Sequence, residues 1–452
     1  MTISLDEKKL IKKSLTKYVL SSVAAMWVFT IYTMVDGMFV ANGVGPDALA
    51  AVNISMPMIN FSFALSILFA IGASTKASIF KGRGEFDKAD QVFTLSTVTV
   101  LVVALIVTFL GRHYIEPLAY LLGANEVTID YVKDYLGIIL LFDVCYMVAY
   151  NLEVLVKADG FPQKAIYTPL IGAFVNIGLD YVFIFHFHWG IRGAAWATGL
   201  SQLVTLIIFS EHFWSKRSGF SFVKIRWSAM EALSIAKLGV SDCVTEMSMG
   251  AVIFMFNKVL LSISGEEGIV VYTVISYVSQ LILMTMVGLN QGMQPLASYY
   301  YGKGKHDTRR YIFKLSIATA MVLSVISFIL GFVWPKPLVG LFIDRQANPE
   351  LFLHGVRAFR IFSFSFLPIG LVVVIAGYFT SIEMAKSAMG VSLCRGLFFV
   401  IIALFIMTKL FGETGVWLTM TVSETSSLVV ALLLYKRNMK LLDERLSQES
   451  KE

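Results

Sequence analysis

The chain has 452 residues, of which 57% are hydrophobic and 15% charged, against roughly 25% charged in a soluble globular domain. That balance excludes water as the main solvent, and a net charge of +6 scattered over many loops is not the concentrated basic face that nucleic acid requires. The three cysteines, Cys145, Cys243 and Cys394, lie in apolar stretches without a CxxC pair, so neither a disulfide frame nor a metal site is expected.

A helix needs about 20 mostly apolar residues to cross a bilayer, and such segments follow one another along the whole chain. In order, the predicted spans are 19–40, 49–71, 91–111, 131–155, 164–187, 193–214, 237–261, 269–294, 311–334, 355–380, 388–408 and 414–436. The fold class is therefore an all-α integral membrane protein of twelve transmembrane helices. The residues before the first span are basic and amphipathic with no cleavage site, so no removable signal is expected.

The first span carries Asp36, the fourth Tyr131, Tyr135, Asp143 and Glu153, and the fifth Asn176 and Asp180. After the fifth, His186 and His188 sit beside Trp189 in HFHWG, which reads as part of an aromatic belt rather than as a metal site. Residues 215–236 are basic and aromatic, and read as a cytoplasmic linker with an interfacial helix. The seventh span carries Asp242 and Glu246, whereas Glu383 and Glu424 read as interfacial. Lys and Arg collect in the N-terminus, alternate loops and the C-terminus, so the positive-inside rule places both termini in the cytoplasm.

The sequence repeats itself. Gly45, Gly72, Ala77, Ser78, Gly82, Gly84 and Asp87 recur as Gly265, Gly292, Ala297, Ser298, Gly302, Gly304 and Asp307, and Gly190, Gly193 and Ser201 as Gly412, Gly415 and Ser423. Six spans per copy is an even number, so both copies cross in the same sense and a pseudo-two-fold axis runs along the membrane normal. The expected organisation is a bundle of residues 1–214, a linker of 215–236 and a second bundle of 237–452. Two such bundles enclose a cleft, an arrangement suited to alternating access.

Carboxylates inside hydrocarbon are expensive and mark functional positions by default. No Lys or Arg lies deep in the predicted spans to neutralise Asp36, Asp143 or Asp180, so these groups either are protonated or hold a cation. Asn176 and Asp180 share a helix face, as do Tyr131 and Tyr135, and such oxygen donors suit a hard cation. The second copy has Phe256, Phe398 and Ile402 where the first has Asp36, Asn176 and Asp180, so the coupling chemistry is lopsided. Glu246 could hold a cationic substrate among aromatic and Met surfaces or be hydrogen-bonded within its bundle. Glu153 lies near the KADGFPQKA loop, where it could snorkel.

The stretches VDGMFVANGVGPDALAAVNISMPMINF, KGRGEFDKA and KADGFPQKAIYTPLIGAFVNIGLDYVFIFHFHWGIRGAAWATGLSQ resemble the multidrug and toxic-compound extrusion (MATE) family, in its bacterial multidrug-efflux branch. The resemblance implies a monomeric, non-enzymatic antiporter of the bacterial cytoplasmic membrane that exports organic cations against inward Na+ or H+, without a cofactor. Family motifs for the cation site match Asp36, Tyr135, Asn176, Asp180 and Thr198, and Glu246 matches a second-half substrate or ion residue. Asp143 and Glu153 are further candidates. The tenth span lacks the Asp that completes the second-half site in some members, and the first span lacks their proline, leaving Gly37 as a place for bending. The alternative within the same superfamily is a flippase of lipid-linked oligosaccharides, whose cavity should carry cationic side chains for a pyrophosphate.

Overall fold

The computed structural model describes residues 3–225 and 228–449. Twelve long helices follow the predicted order: α1 Leu5–Gly43, α2 Pro46–Arg83, α3 Phe86–His113, α4 Ile129–Ala158, α5 Lys164–His186, α6 Gly190–Trp214, α7 and α8 within Ala229–Gly302, α9 His306–Val333, α10 Pro349–Ser381, α11 Ala385–Phe411 and α12 Glu413–Glu449. Eleven helical segments of the described residues are long and apolar enough to cross a membrane. The 74-residue segment is two spans, because Gly265 leaves helical geometry at φ 63° and ψ −150°. Asn290 on α8 hydrogen-bonds Asp242 on α7, as a hairpin turning at Gly265 requires.

Local chemistry sets the helix limits. Ser4 and Ser228 accept hydrogen bonds from the backbone of Glu7 and Glu231, capping α1 and α7. Gly84 and its repeat partner Gly304 turn the chain at φ 80° and 70°, a left-handed conformation that side chains with a Cβ rarely adopt. A short helix follows α3 at Ile115–Leu122 and another follows α9 at Pro335–Gly340, so the duplication extends to the outermost turns. The basic start of the chain, expected ahead of the first span, is the first part of α1, which runs unbroken through Gly37.

The halves meet along the end of the molecule that carries the N-terminus. A Cβ added at Gly72 would lie 1.9 Å from the Ile235 carbonyl oxygen, at Gly239 1.9 Å from that of Leu68, at Gly82 2.1 Å from that of Tyr299, and at Gly302 2.1 Å from that of Ile79. The repeated glycines thus let α2 of one half and α7 and α8 of the other touch backbone to backbone. Ile11, Leu15 and Val19 of α1 add an apolar seal against Leu289 and Met293 of α8. Polar links between the halves lie on the same side: Lys305 to Glu7 at 2.8 Å, Lys76 to Ser234 at 2.9 Å, and Trp27 to Thr285 at 2.9 Å. On the opposite side, Arg192–Asp134 and Lys133–Glu116 stay within the first half, and His354–Glu413 and Arg360–Phe332 within the second.

The linker corrects the sequence reading. Residues 215–225 form no helix; Arg226 and Trp227 lie outside the described residues, and 229–236 are already the start of α7. Gly219 and the alternation of Phe220 and Phe222 favour an extended strap. Phe220 is buried against Phe93 at a ring separation of 5.3 Å, and the ammonium of Lys81 lies 3.4 Å above its ring. Asp159, at the end of α4, binds Lys81 at 2.7 Å, His212 at 2.9 Å and the Gly219 amide at 3.0 Å. Burial alone would raise the Asp159 carboxyl, but the His212 hydrogen bond and the Lys81 charge outweigh it and hold the group below its ordinary value.

The close approaches predict a contrast between two glycines of one helix. Gly239→Ala should destabilise the protein by about 1–3 kcal/mol through overpacking. Gly250→Ala, with nothing within 4 Å of its new methyl group, should be neutral or slightly stabilising. Thermal unfolding of the detergent-solubilised protein distinguishes the two, and equal effects would contradict the backbone contact.

Candidate cation and substrate sites

Four helices of the first half converge on one polar cluster. Asp36 from α1, Tyr135 from α4, and Asn176 and Asp180 from α5 are all buried, with 5%, 2%, 0% and 0% exposure. Asn176 Nδ2 donates to Thr198 Oγ1 of α6 at 3.4 Å, and Asp36 neighbours both Asp180 and Thr198. Tyr135 lies within electrostatic range of both carboxylates. The structure thus brings together all five residues that the family resemblance singled out. Tyr131 is separate, at 37% exposure.

The cluster is short of donors. Asp36 Oδ1, both Asp180 carboxylate oxygens and Asn176 Oδ1 are buried without a hydrogen-bond donor among the described residues. A hard cation takes its ligands from such oxygens, and a proton would supply the missing donor between two carboxylates. Two further residues border the cluster, Tyr32 and Gln202. Each is four residues from a member on its own helix, Asp36 and Thr198 respectively, and that helical spacing was the available signal. Among the described residues no group of three or more His, Cys, Asp or Glu could hold a metal ion. His186 and His188 are exposed at the far end.

The other carboxylates divide into partnered and cleft-lining groups. Asp143 accepts from Ser62 at 3.1 Å and stands outside the cluster. Glu153, read as snorkelling, instead forms an ion pair with Lys157 at 3.1 Å, and that lysine is 1% exposed. Lys157 also donates to Gln291 of α8 at 3.0 Å, and Gln291 in turn donates to Tyr150 at 3.2 Å. This chain of polar contacts crosses between the halves. Glu424, read as interfacial, is fully buried and accepts from Arg395 Nε at 2.8 Å. Arg309 is also fully buried, with its guanidinium near the Tyr301 and Tyr378 rings. Among the described residues no basic side chain forms an ion pair with Asp36, Asp143 or Asp180, whereas Lys157, Arg309 and Arg395 are buried elsewhere in the bundle, Lys157 and Arg395 against glutamates. The Arg395–Glu424 and Lys157–Gln291 contacts join different helices, which spacing along one helix does not reveal.

Between the halves lies a polar cleft. Ile67 and Ile71 of α2, Asp242, Thr245 and Glu246 of α7, Asn290 and Gln291 of α8, Gly377 of α10, and Ser392 and Arg395 of α11 line it. Asn290 fills the space beside α10, where a Cβ at Gly377 would fall 1.6 Å from its Oδ1. The second acid near Glu246 is thus Asp242 of the same helix, and Asn290 donates to it at 3.4 Å. On the first-half side, Phe29, Tyr32, Phe63, Tyr146 and Tyr150 form a continuous aromatic wall with ring separations of 4.7–5.8 Å. Tyr146 is within electrostatic range of Tyr32, Asp143 and Glu246, so the wall runs from the carboxylate cluster to the cleft.

A twelve-helix, internally duplicated bundle with a polar cleft between its halves is the fold of a membrane transporter rather than an enzyme. The MatE family profile matches residues 22–182 and 243–406, one match in each half, and the chain belongs to that family. The multidrug export protein MepA of Staphylococcus aureus (strain bovine RF122 / ET3-1) is 25% identical over 448 residues, covering 99% of this chain and 97% of that protein. MepA of Staphylococcus haemolyticus is 24% identical over 430 residues, covering 95% and 94%. The crystal structure of MATE in complex with MaL6 superposes with a TM-score of 0.90 at 21% identity, covering 96% and 97%. An outward-facing multidrug resistance MATE family transporter of the MOP superfamily superposes with a TM-score of 0.89 at the same identity and coverage.

The Glu153–Lys157–Gln291 chain predicts an asymmetry between single and double substitutions. Lys157→Met leaves Glu153 buried without its cation and should cost about 3–5 kcal/mol. The double variant Glu153→Gln, Lys157→Met should recover most of that loss, as read from thermal unfolding. A double variant as unstable as Lys157→Met would contradict the pairing.

Proposed function

We propose that this protein exports small, mostly cationic organic compounds from the cytoplasm in exchange for Na+ or H+. It would sit in a bacterial cytoplasmic membrane with both termini inside, act as a monomer and need no cofactor. The observation that carries the reading is the set of buried, donor-less oxygens on Asp36, Asn176 and Asp180. Burying two carboxylates side by side without a cation is unfavourable, so occupancy of the cluster alters the free energy of the helices that hold it. The full-length likeness to proteins named multidrug export proteins supports the choice of cargo.

Coupling follows from charge and geometry. A cation entering the cluster neutralises repulsion between Asp36 on α1 and Asp180 on α5. Since α1 also seals the halves through Ile11, Leu15 and Val19, a change in its position reaches the closed side of the cleft. That side carries the basic N-terminal segment, so by the positive-inside rule it faces the cytoplasm. The arrangement described here is then closed inward and open outward. Substrate would rest between the aromatic wall, which attracts cations through its ring faces, and Glu246. One pH unit supplies about 1.4 kcal/mol per proton, and 100 mV about 2.3 kcal/mol per charge. A ten-fold gradient of H+ or Na+ therefore sustains a ten-fold ratio of a monovalent cation exchanged one for one, and the potential contributes only when more positive charge enters than leaves.

A lipid-linked oligosaccharide finds less support. Arg395, which lines the cleft, and Lys157, which binds the cleft residue Gln291, are each paired with a glutamate, so no excess positive field awaits a pyrophosphate.

Efflux of ethidium from proteoliposomes under imposed Na+ or pH gradients tests the proposal and identifies the driving ion. Asp36→Asn and Asp180→Asn should each lower gradient-driven efflux at least about ten-fold while the protein still inserts. Undiminished efflux from either variant would contradict the role of the cluster.

A further inference from the structure

We infer that the sealed end of the second half binds a small inorganic anion such as chloride, held by Arg309 and Tyr378. This site stands apart from the cation cluster and from the cleft. Arg309, near the start of α9, is fully buried, and its Nε and both Nη atoms make no hydrogen bond. A guanidinium keeps its proton at any physiological pH, so burial leaves it charged, and a buried charge that is neither paired nor hydrogen-bonded is unfavourable. The Tyr301 and Tyr378 rings, with centroids 5.6 and 5.9 Å from Cζ, attract the cation through their faces but carry no net charge. Tyr378 Oη is itself buried without a partner and lies within electrostatic range of the guanidinium. A chloride ion accepts from several such N–H and O–H donors at once and supplies the countercharge.

The repeat shows how this place differs from its counterpart. Phe93 packs on Phe213 with ring centroids 4.8 Å apart, and their repeat partners Phe313 and Tyr435 pack at 4.9 Å, so the same ends of the two bundles correspond. In the first half Asp159 ends α4, just before the left-handed Gly160, and binds Lys81 at 2.7 Å. In the second half Ile382 ends α10, just before the left-handed Glu383, and Tyr301 and Arg309 stand where the first half has Lys81 and Ala89. The first half thus encloses a cation with its acid, whereas the second encloses a cation and an isoleucine. Two acids of this end, Glu7 and Glu383, are paired elsewhere, with Lys305 at 2.8 Å and Arg83 at 3.8 Å. Arg309 has no exposed surface, so a lipid headgroup or a bulky organic acid cannot lie against it, and an ion of one or a few atoms is the countercharge that fits. Bound there, the anion ties α9 to α10 next to Thr308 and Lys305, which hold Glu7 of α1 across the halves.

Thermal unfolding of the purified full-length protein in neutral detergent tests this, with sodium chloride compared against sodium gluconate at equal concentration, because gluconate is too bulky for the site. Chloride should raise the unfolding midpoint of the wild type saturably, by about 2 °C or more. Arg309→Met replaces the cation with an apolar chain and should abolish the difference between the two salts. No chloride effect in the wild type, or an equal one in Arg309→Met, would overturn the inference. Tyr378→Phe keeps the ring and removes only the hydroxyl, so half-maximal stabilisation should require about three-fold more chloride; an unchanged requirement would also overturn it. If Arg309→Met does not fold, bromide soaked into wild-type crystals decides: an anomalous peak beside the Arg309 Nη atoms supports the site, and no peak there overturns it. None of these readouts involves transport, so their failure leaves the export reading standing.

Discussion

A carboxylate without a donor, deep among apolar helices, is unstable until a cation or a proton reaches it. Several charged groups inside this protein escape that condition by pairing: Glu153 with Lys157, Glu424 with Arg395, and Asp159 with Lys81 and His212. Asp36 and Asp180 do not. They share a pocket with Asn176 and Thr198, and several of their oxygens face no donor. The contrast separates charges that hold the structure together from charges left open to exchange.

The duplication supplies the frame on which that chemistry acts. Both halves use the same backbone devices: left-handed glycines at Gly84 and Gly304, short helices after α3 and α9, and glycines that let α2 and α8 press against the opposite half. The side chains on the frame differ. The first half holds the open carboxylates, and the second holds a cleft wall with Glu246, Asp242 and a paired arginine. Backbone symmetry thus makes two bundles that can rock as units, while the asymmetric polar groups give the motion a direction. The strap of residues 215–225, clamped to Asp159, keeps the connection between the bundles pinned to the first.

Much of this was legible in the sequence because the bilayer constrains it strongly. Twelve apolar runs, the repeated glycines and the isolated Asp36, Asn176 and Asp180 all stand out against hydrocarbon. Pairing was not legible. Lys157 looked like a loop residue and Glu424 an interfacial one, since their partners come from Gln291 on α8 and Arg395 on α11, far away along the chain. The strap was misread because Trp, Phe and Lys suit both an interfacial helix and an extended segment; the burial of Phe220 against Phe93 selects the second. The repeated glycines identified a duplication, but their closeness to Ile235, Leu68, Tyr299 and Ile79 required the folded chain.

The central claim is that occupancy of the Asp36–Asp180 cluster moves the two halves. The most direct measurement is the distance between spin labels at positions 38 and 254, both exposed and on the open side of the helices that carry Asp36 and Glu246, in lipid nanodiscs. Raising Na+ or lowering pH should shift the distance distribution in the wild type and leave it fixed in Asp180→Asn. The same shift in both proteins would contradict the claim.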